Sequence, residues 1–194
     1  NVKLIEMDIL EISLLKEQFD IIICSGVLHH MDNPSKGLQA LLGVLNNNGF
    51  LKLGLYSQLA RQNIVEARKY INRNNLRANE DSMRNFRERV IAGNLENLNS
   101  LTILEDFYSL SQFRDLCFHS KEHRFTINQL QETLNSNGLD FLGFLLPKAV
   151  KSVYKKYFPA DTKQINFRNW AIFEEKHPHT FRGMYQFWVC KTRI

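Results

Sequence analysis

The sequence predicts an α/β fold, and three observations carry that expectation. Residues 19–24 (FDIIIC) form an apolar run of strand length interrupted only by Asp20, as expected of a parallel strand buried on both faces. A capped amphipathic helix pattern follows directly, and a second apolar stretch, residues 50–56, comes after it. Strand, helix and strand joined by short turns make a βαβ unit with a right-handed crossover.

The elements can be justified in order. Residues 2–7 alternate and end at Asp8, the pattern of a short strand closing on a carboxylate. After the strand at 19–24, Asn33 is a good N-cap and Pro34 suits the first helical position. Leu38, Leu41, Leu42 and Leu45 then recur at helical spacing and make one apolar face. Asn47, Asn48 and Gly49 are expected to end that helix, because Asn and Gly tolerate positive φ. From residue 58 to about 120 the pattern reads as three helices without strands. They are marked by Ile64, Ala67, Arg68 and Ile71, by Met83, Phe86, Val90 and Ile91, and by Leu110, Phe113, Leu116 and Cys117. Thr126 and Gln129 form a capping-box pattern opening a helix through Ile127, Leu130 and Leu134. Asn137-Gly138 closes it. Residues 139–146 read as a strand, 148–158 and 166–176 as helices, and 184–190 as the last strand.

These boundaries imply an α/β core half at 1–57, a helical cap at 58–125 and a closing core segment at 126–194. With 194 residues, 44% of them apolar and 23% charged, one domain carrying an insertion is the natural expectation. No apolar run approaches the roughly 20 residues of a membrane span. No secretory leader pattern is present, and the first residue is Asn rather than Met, which suggests a fragment or a processed product. Cys24, Cys117 and Cys190 are odd in number and lack metal-ligand spacing. They are expected to be reduced thiols in the cytoplasm. The net charge of +5 is modest and its carriers are scattered, so nucleic acid is an unexpected partner.

Four features resemble a class I S-adenosylmethionine-dependent methyltransferase from its third strand onward. Residues 1–10 (NVKLIEMDIL) resemble the segment ending in the acidic residue that meets adenine. Residues 19–30, through Leu28-His29-His30, resemble the fourth strand and the turn beneath the methyl donor. Residues 45–53 resemble the Leu-x-Pro-Gly-Gly corner, with Asn47 and Asn48 in place of its Pro and first Gly. The tail stretches DFYSLSQFRDLCFHSKEHRFT and HPHTFRGMYQFWVC resemble methyltransferase domains found with tetratricopeptide repeats in bacterial proteins. The resemblance implies a Rossmann-like sheet with a helical cap insertion, and S-adenosylmethionine as cofactor. It also exposes a departure: residues 1–194 contain neither the Gly-rich loop that holds the methionine half nor the acidic strand end that holds the ribose.

On that resemblance, Asp8 would accept from the adenine amino group, with the Ile9 N–H beside it; Asp8 could equally be an N-cap. Cys24, Ser25 and Gly26 lie at the carboxyl end of a parallel strand, where open α/β sheets bind ligands. They would meet the cofactor through their backbone. His29 and His30 are the candidates nearest the reacting centre, either as a general base toward the acceptor or as the wall of the cofactor site. Tyr56, Arg114, His119, His123 and Arg124 are candidate acceptor contacts, and a solvated helix end and loop is the competing reading of the last four. His119, Glu122 and His123 do not form the His-Glu-x-x-His pattern, so no metal is expected. The function expected is methyl transfer to a small-molecule or peptide acceptor, this chain being a partial domain. The rival is a catalytically silent module kept for binding or oligomerisation. With the upstream half of such a sheet absent from residues 1–194, the 19–24 strand would present an open apolar edge that invites self-association.

Overall fold

The computed structural model of the chain describes residues 2–118 and 122–192, with Glu96 as backbone only. Along the chain the elements are β1 (Phe19–Ser25), α1 (Pro34–Val44), β2 (Leu45–Ser57), α2 (Gln62–Arg73), α3 (Glu80–Ile91), α4 (Leu110–Phe113), β3 (Arg124–Phe125), α5 (Ile127–Ser136), β4 (Leu139–Phe144), α6 (Lys148–Tyr157), α7 (Phe167–Lys176) and β5 (Tyr185–Lys191). They divide into two compact units, Asn1–Leu59 with Lys121–Ile194, and Ala60–Ser120.

The first unit is built on a mixed sheet of order β1-β2-β5-β4. β1 and β2 are parallel, β5 runs antiparallel to both of its neighbours, and β3 adds two parallel pairs at the end of β2. The short β3 belongs to this unit, so the strands resume within the 58–125 cap stretch, beyond the residues up to about 120 that read as helices without strands. Alternation sends Ile22, Cys24, Leu51, Leu53, Phe187 and Val189 to one buried face. Against that face stand Leu38 of α1 and Leu130 and Leu134 of α5, which meet Leu53, Leu55 and Phe187. α7 adds Trp170 and Phe173, both fully buried, with Trp170 stacked on Tyr154 of α6. Local signals act where the sequence placed them. The Asn33 side chain accepts from Lys36 N at the start of α1. The Thr126–Gln129 capping box forms at α5, and Gly138 takes φ +61° after it.

Three expectations are corrected. Residues 2–7 form no strand, and Val2, Leu4 and Ile5 are exposed. A strand exists by pairing, and these residues pair with none of the five strands. The expected burial of β1 on both faces also fails, because Ile21 and Ile23 are 60% and 65% exposed. They pair with Phe50 and Lys52 on the outer face of the sheet, opposite α1 and α5. Finally, Asn47, Asn48 and Gly49 carry no positive φ. α1 stops at Val44 and β2 starts at once, with residues 46–49 absorbed in an irregularity between the Phe19↔Leu45 and Ile21↔Phe50 pairs. Gly49 is there for space: a Cβ would lie 2.9 Å from Asp20 O.

The second unit is helical. Ile64, Ala67 and Ile71 of α2 share a core with Met83, Phe86 and Val90 of α3 and with Phe107 and Phe113. The spacing of these residues is the one the sequence displays. The third helix is shorter than expected: α4 gives way to a π-helical turn, Arg114–Phe118. The Arg68 guanidinium ties that turn to α2, donating through Nε and Nη2 to Leu116 O at 3.3 and 2.9 Å.

Candidate active site

The carboxyl ends of β1 and β2 lie side by side, since Ser25 pairs with Gly54. Gly54 has to be glycine here, because a Cβ would fall 2.2 Å from Ser25 Oγ. β1 then breaks at Gly26, whose φ of +80° is a conformation open to glycine at little cost. Its N–H donates to Gly54 O at 3.4 Å. Among the described residues, a Cβ on Gly26 would find within 4 Å only the Met184 methyl, 3.8 Å away, so the backbone at this strand end is approachable. Ser25 Oγ donates to Met184 Sδ at 3.7 Å. Cys24 points into the core, and burial raises its thiol pKa against a hydrogen bond with the Leu28 backbone. It can meet a ligand only through its backbone.

Beyond Gly26 the chain makes a 3₁₀ turn, Leu28–His30, which turns both histidines toward the end of β2. His29 has no exposed surface and lies against Tyr56, with ring centroids 3.8 Å apart and planes inclined by 32°. His30 is half-buried and meets His29 edge-on at 4.4 Å and Tyr56 at 6.0 Å. The segment before α5 closes on the same place: His123 N donates to His29 O at 2.8 Å, and Arg124 pairs with Tyr56 in the β2–β3 ladder. Arg124 Nη1 stands 3.8 Å from the fully buried carboxylate of Glu122.

Five of the residues singled out in sequence therefore converge here: His29, His30, Tyr56, His123 and Arg124. Ser25 and Gly26 lie at the adjoining strand end. Asp8 is engaged as the N-cap of the 3₁₀ helix Ile9–Leu15, its Oδ1 accepting from Leu10 N at 2.8 Å. That is the capping role weighed as the alternative, and Ile9 opens the same helix. Arg114 starts the π-helical turn of the second unit. His119 lies outside the described residues.

Sequence reasoning missed a buried polar network at the foot of Tyr56. Glu174 of α7 is 4% exposed and accepts from Ser57 Oγ at 2.5 Å and from Tyr185 Oη at 2.6 Å. Burial raises its pKa above the usual carboxylate range, and outweighs the two hydrogen bonds that pull it down. The network fixes the last residue of β2, next to the Tyr56 that carries His29. A signal was present: Glu174 stands four residues after Trp170 and seven after Phe167, on the apolar face of α7.

Comparison with known proteins agrees with this architecture. Residues 1–53 match the family described as a methyltransferase domain. An uncharacterized protein of a Synechococcus species is 29% identical over 150 residues, covering 72% of this chain and 35% of the relative. Among solved structures, PKMT2 from Rickettsia typhi superposes with a TM-score of 0.72 at 14% identity, over 97% of this chain and 38% of that one. The same protein in complex with AdoHcy gives a TM-score of 0.69 at 16% identity, covering 97% and 39%. The chain thus spans little more than a third of the proteins it matches. Its first 53 residues match the methyltransferase-domain model, and the chain shares the Rossmann-like fold of the solved structures it superposes on.

Proposed function

We propose that this chain forms the acceptor-side part of an S-adenosylmethionine-dependent methyltransferase whose acceptor is a small molecule or a peptide group. The observation that carries this reading is the convergence of Gly26, His29, His30 and Tyr56 at the carboxyl ends of two parallel strands, the place where open α/β sheets bind ligands. The fit to the cofactor is partial. Gly26 offers open backbone, and the half-buried Tyr56 ring offers a π face of the kind that attracts an onium cation. Residues 1–194 supply no Gly-rich loop for the methionine carboxylate, and the Asp8 carboxylate already accepts a backbone bond.

When bound, the cofactor supplies an electrophilic methyl group on sulfur. In this reading the Ser25–Gly26 backbone holds the donor side. His29 and Tyr56 form a dry floor that excludes water, and positioning of that kind accounts for a large share of the acceleration of a displacement. His30 retains exposed surface, so it rather than His29 is placed to take a proton from an acceptor hydroxyl or ammonium. His123 and Arg124, beside Tyr56, form the acceptor rim, with Arg124 suited to an anionic group. The three cysteines are free thiols, which fits a reducing, cytoplasmic setting. A second reading, a catalytically silent binding module, is favoured by the lack of a Gly-rich loop in these residues.

Calorimetric titration of residues 1–194 with S-adenosylmethionine tests the account of the site. Charge-assisted hydrogen bonds contribute about 1.5–3 kcal/mol each. Lacking two or three of them removes on the order of 4–8 kcal/mol, and a micromolar site starts near about −8 kcal/mol. Binding is expected at millimolar concentration or weaker. Micromolar binding by these residues would contradict the account of what they lack.

A further inference from the structure

The last strand brings a residue to the site from the far end of the chain. β5 runs antiparallel to β2, so it begins at the end of the sheet where β1 and β2 finish. Gly54 of β2 pairs with Ser25 on one side and with Gln186 on the other, and Leu55 pairs with Tyr185. Met184 is the residue just ahead of Tyr185, inside the stretch HPHTFRGMYQFWVC, for which the sequence alone names no contact in the site. β2 lies between β1 and β5, yet Ser25 Oγ reaches Met184 Sδ at 3.7 Å. The crossing is open because Gly54 carries no side chain: a Cβ there would fall 2.2 Å from Ser25 Oγ.

Two contacts orient the thioether. Its sulfur, a weak acceptor, takes the Ser25 hydroxyl. Its methyl lies 3.8 Å from the point where a Gly26 Cβ would stand. Among the described residues, chain neighbours aside, no other heavy atom comes within 4 Å of that point. A group seated on the Gly26 backbone therefore has Met184 as its neighbour. Met184 is half-buried, and an unbranched thioether can repack around a ligand rather than block it.

We infer that Met184 is a contact residue of the methyl-donor subsite: held by Ser25 across Gly54, its methyl closes the Gly26 backbone from the β5 side and packs against the bound donor. This rests on the reading of the β1–β2 strand ends as the donor site, and it adds to that site a side chain from the opposite end of the sequence.

The test uses an active protein containing this chain, isotope-labelled at its methionine methyl groups and titrated with S-adenosylhomocysteine. The Met184 resonance is the one absent from the Met184→Leu variant. It is expected to shift in proportion to saturation and to report the same Kd as calorimetry, while Met83, in the core of the helical unit, stays in place. Ser25→Ala keeps the backbone and is expected to move the same resonance without ligand, by releasing the sulfur. Met184→Ala is expected to bind S-adenosylhomocysteine roughly 5-fold or more weaker. Met184→Leu restores the apolar volume and is expected to bind within about twofold of wild type. A Met184 resonance unmoved at saturation or indifferent to Ser25→Ala, or an Ala variant of wild-type affinity, would overturn the inference. His29→Gln then separates the two claims. If it weakens binding in the same protein, the donor still sits at the strand ends and only the place of Met184 is lost. If it too binds like wild type, the donor reading falls with the inference.

Discussion

Replacing Glu174 separates two roles of its buried carboxyl group. Glu174→Leu strips one acceptor from each of two hydroxyls, Ser57 Oγ and Tyr185 Oη. Hydrogen bonds to a charged group contribute about 1.5–3 kcal/mol each. The loss is offset in part by removing a carboxylate whose burial is itself unfavourable, leaving a net destabilisation of about 2–4 kcal/mol. Glu174→Gln keeps the shape and can both accept from one hydroxyl and donate to the other, so at pH 7 it should cost less than about 1 kcal/mol. The pH dependence follows from the raised pKa. The unfolded chain releases this proton in the ordinary carboxylate range, while the folded chain holds it to higher pH. Between those two points the native state binds more protons, so stability falls as pH rises. The stabilising contribution is complete below the unfolded pKa and is lost through the folded one. Urea denaturation from pH 4 upward, wild type against Glu174→Gln, isolates the effect as a difference that narrows or reverses in favour of the variant as pH rises. A difference independent of pH, or a Leu variant as stable as the Gln variant, would refute the reasoning.

Other expectations follow from the same geometry. Trypsin should cut at Arg73 and Arg77, in the exposed link between α2 and α3, before it cuts anywhere within residues 19–56; the reverse order would show the helical unit to be the more stable of the two. In an active protein containing this chain, His30→Gln should lower kcat roughly 10²-fold or more with donor affinity nearly unchanged. His29→Gln should instead weaken donor binding, and a kcat defect confined to His29 would exchange their roles. Gly49→Ala forces a Cβ to within 2.9 Å of Asp20 O and should destabilise by about 1–3 kcal/mol, read as a lowered Tm. No change in Tm would mean that residues 46–49 relax freely.

Much of the fold was legible because local and global signals agree. Asn33-Pro34, Thr126 with Gln129, and Gly138 each announced an element boundary that the structure keeps. The leucines of α1, Ile64 and Ile71 of α2, and Phe86 of α3 gave their buried faces by spacing alone, whereas Ile91 at the end of α3 is exposed. What failed depends on partners that no local pattern encodes. Residues 2–7 alternate as a strand does, yet a strand needs a neighbouring edge. The Ile21-Ile22-Ile23 run reads as buried on both faces, yet composition cannot say whether anything covers the outer one. At the site, Leu28-His29-His30 was singled out through motif resemblance, while the contact of His29 with Tyr56 depends on the parallel alignment of β1 and β2. The approach of His123 and Arg124 required the β2–β3 ladder, which joins residues nearly seventy positions apart. Glu174 was overlooked because an acid on an apolar helix face is ordinarily at the rim, and its two hydroxyl partners come from β2 and β5.

Chemical-shift mapping of residues 1–194 with S-adenosylhomocysteine at millimolar concentration tests the central claim most directly. The account predicts weak, saturable shifts confined to Ser25, Gly26, Leu28, His29, His30, Tyr56 and Met184, with the outer-face Ile21, Phe50 and Trp188 unmoved. Shifts centred on the outer face, or shifts that saturate at micromolar ligand, would contradict the assignment of the β1–β2 strand ends as a partial methyl-donor site.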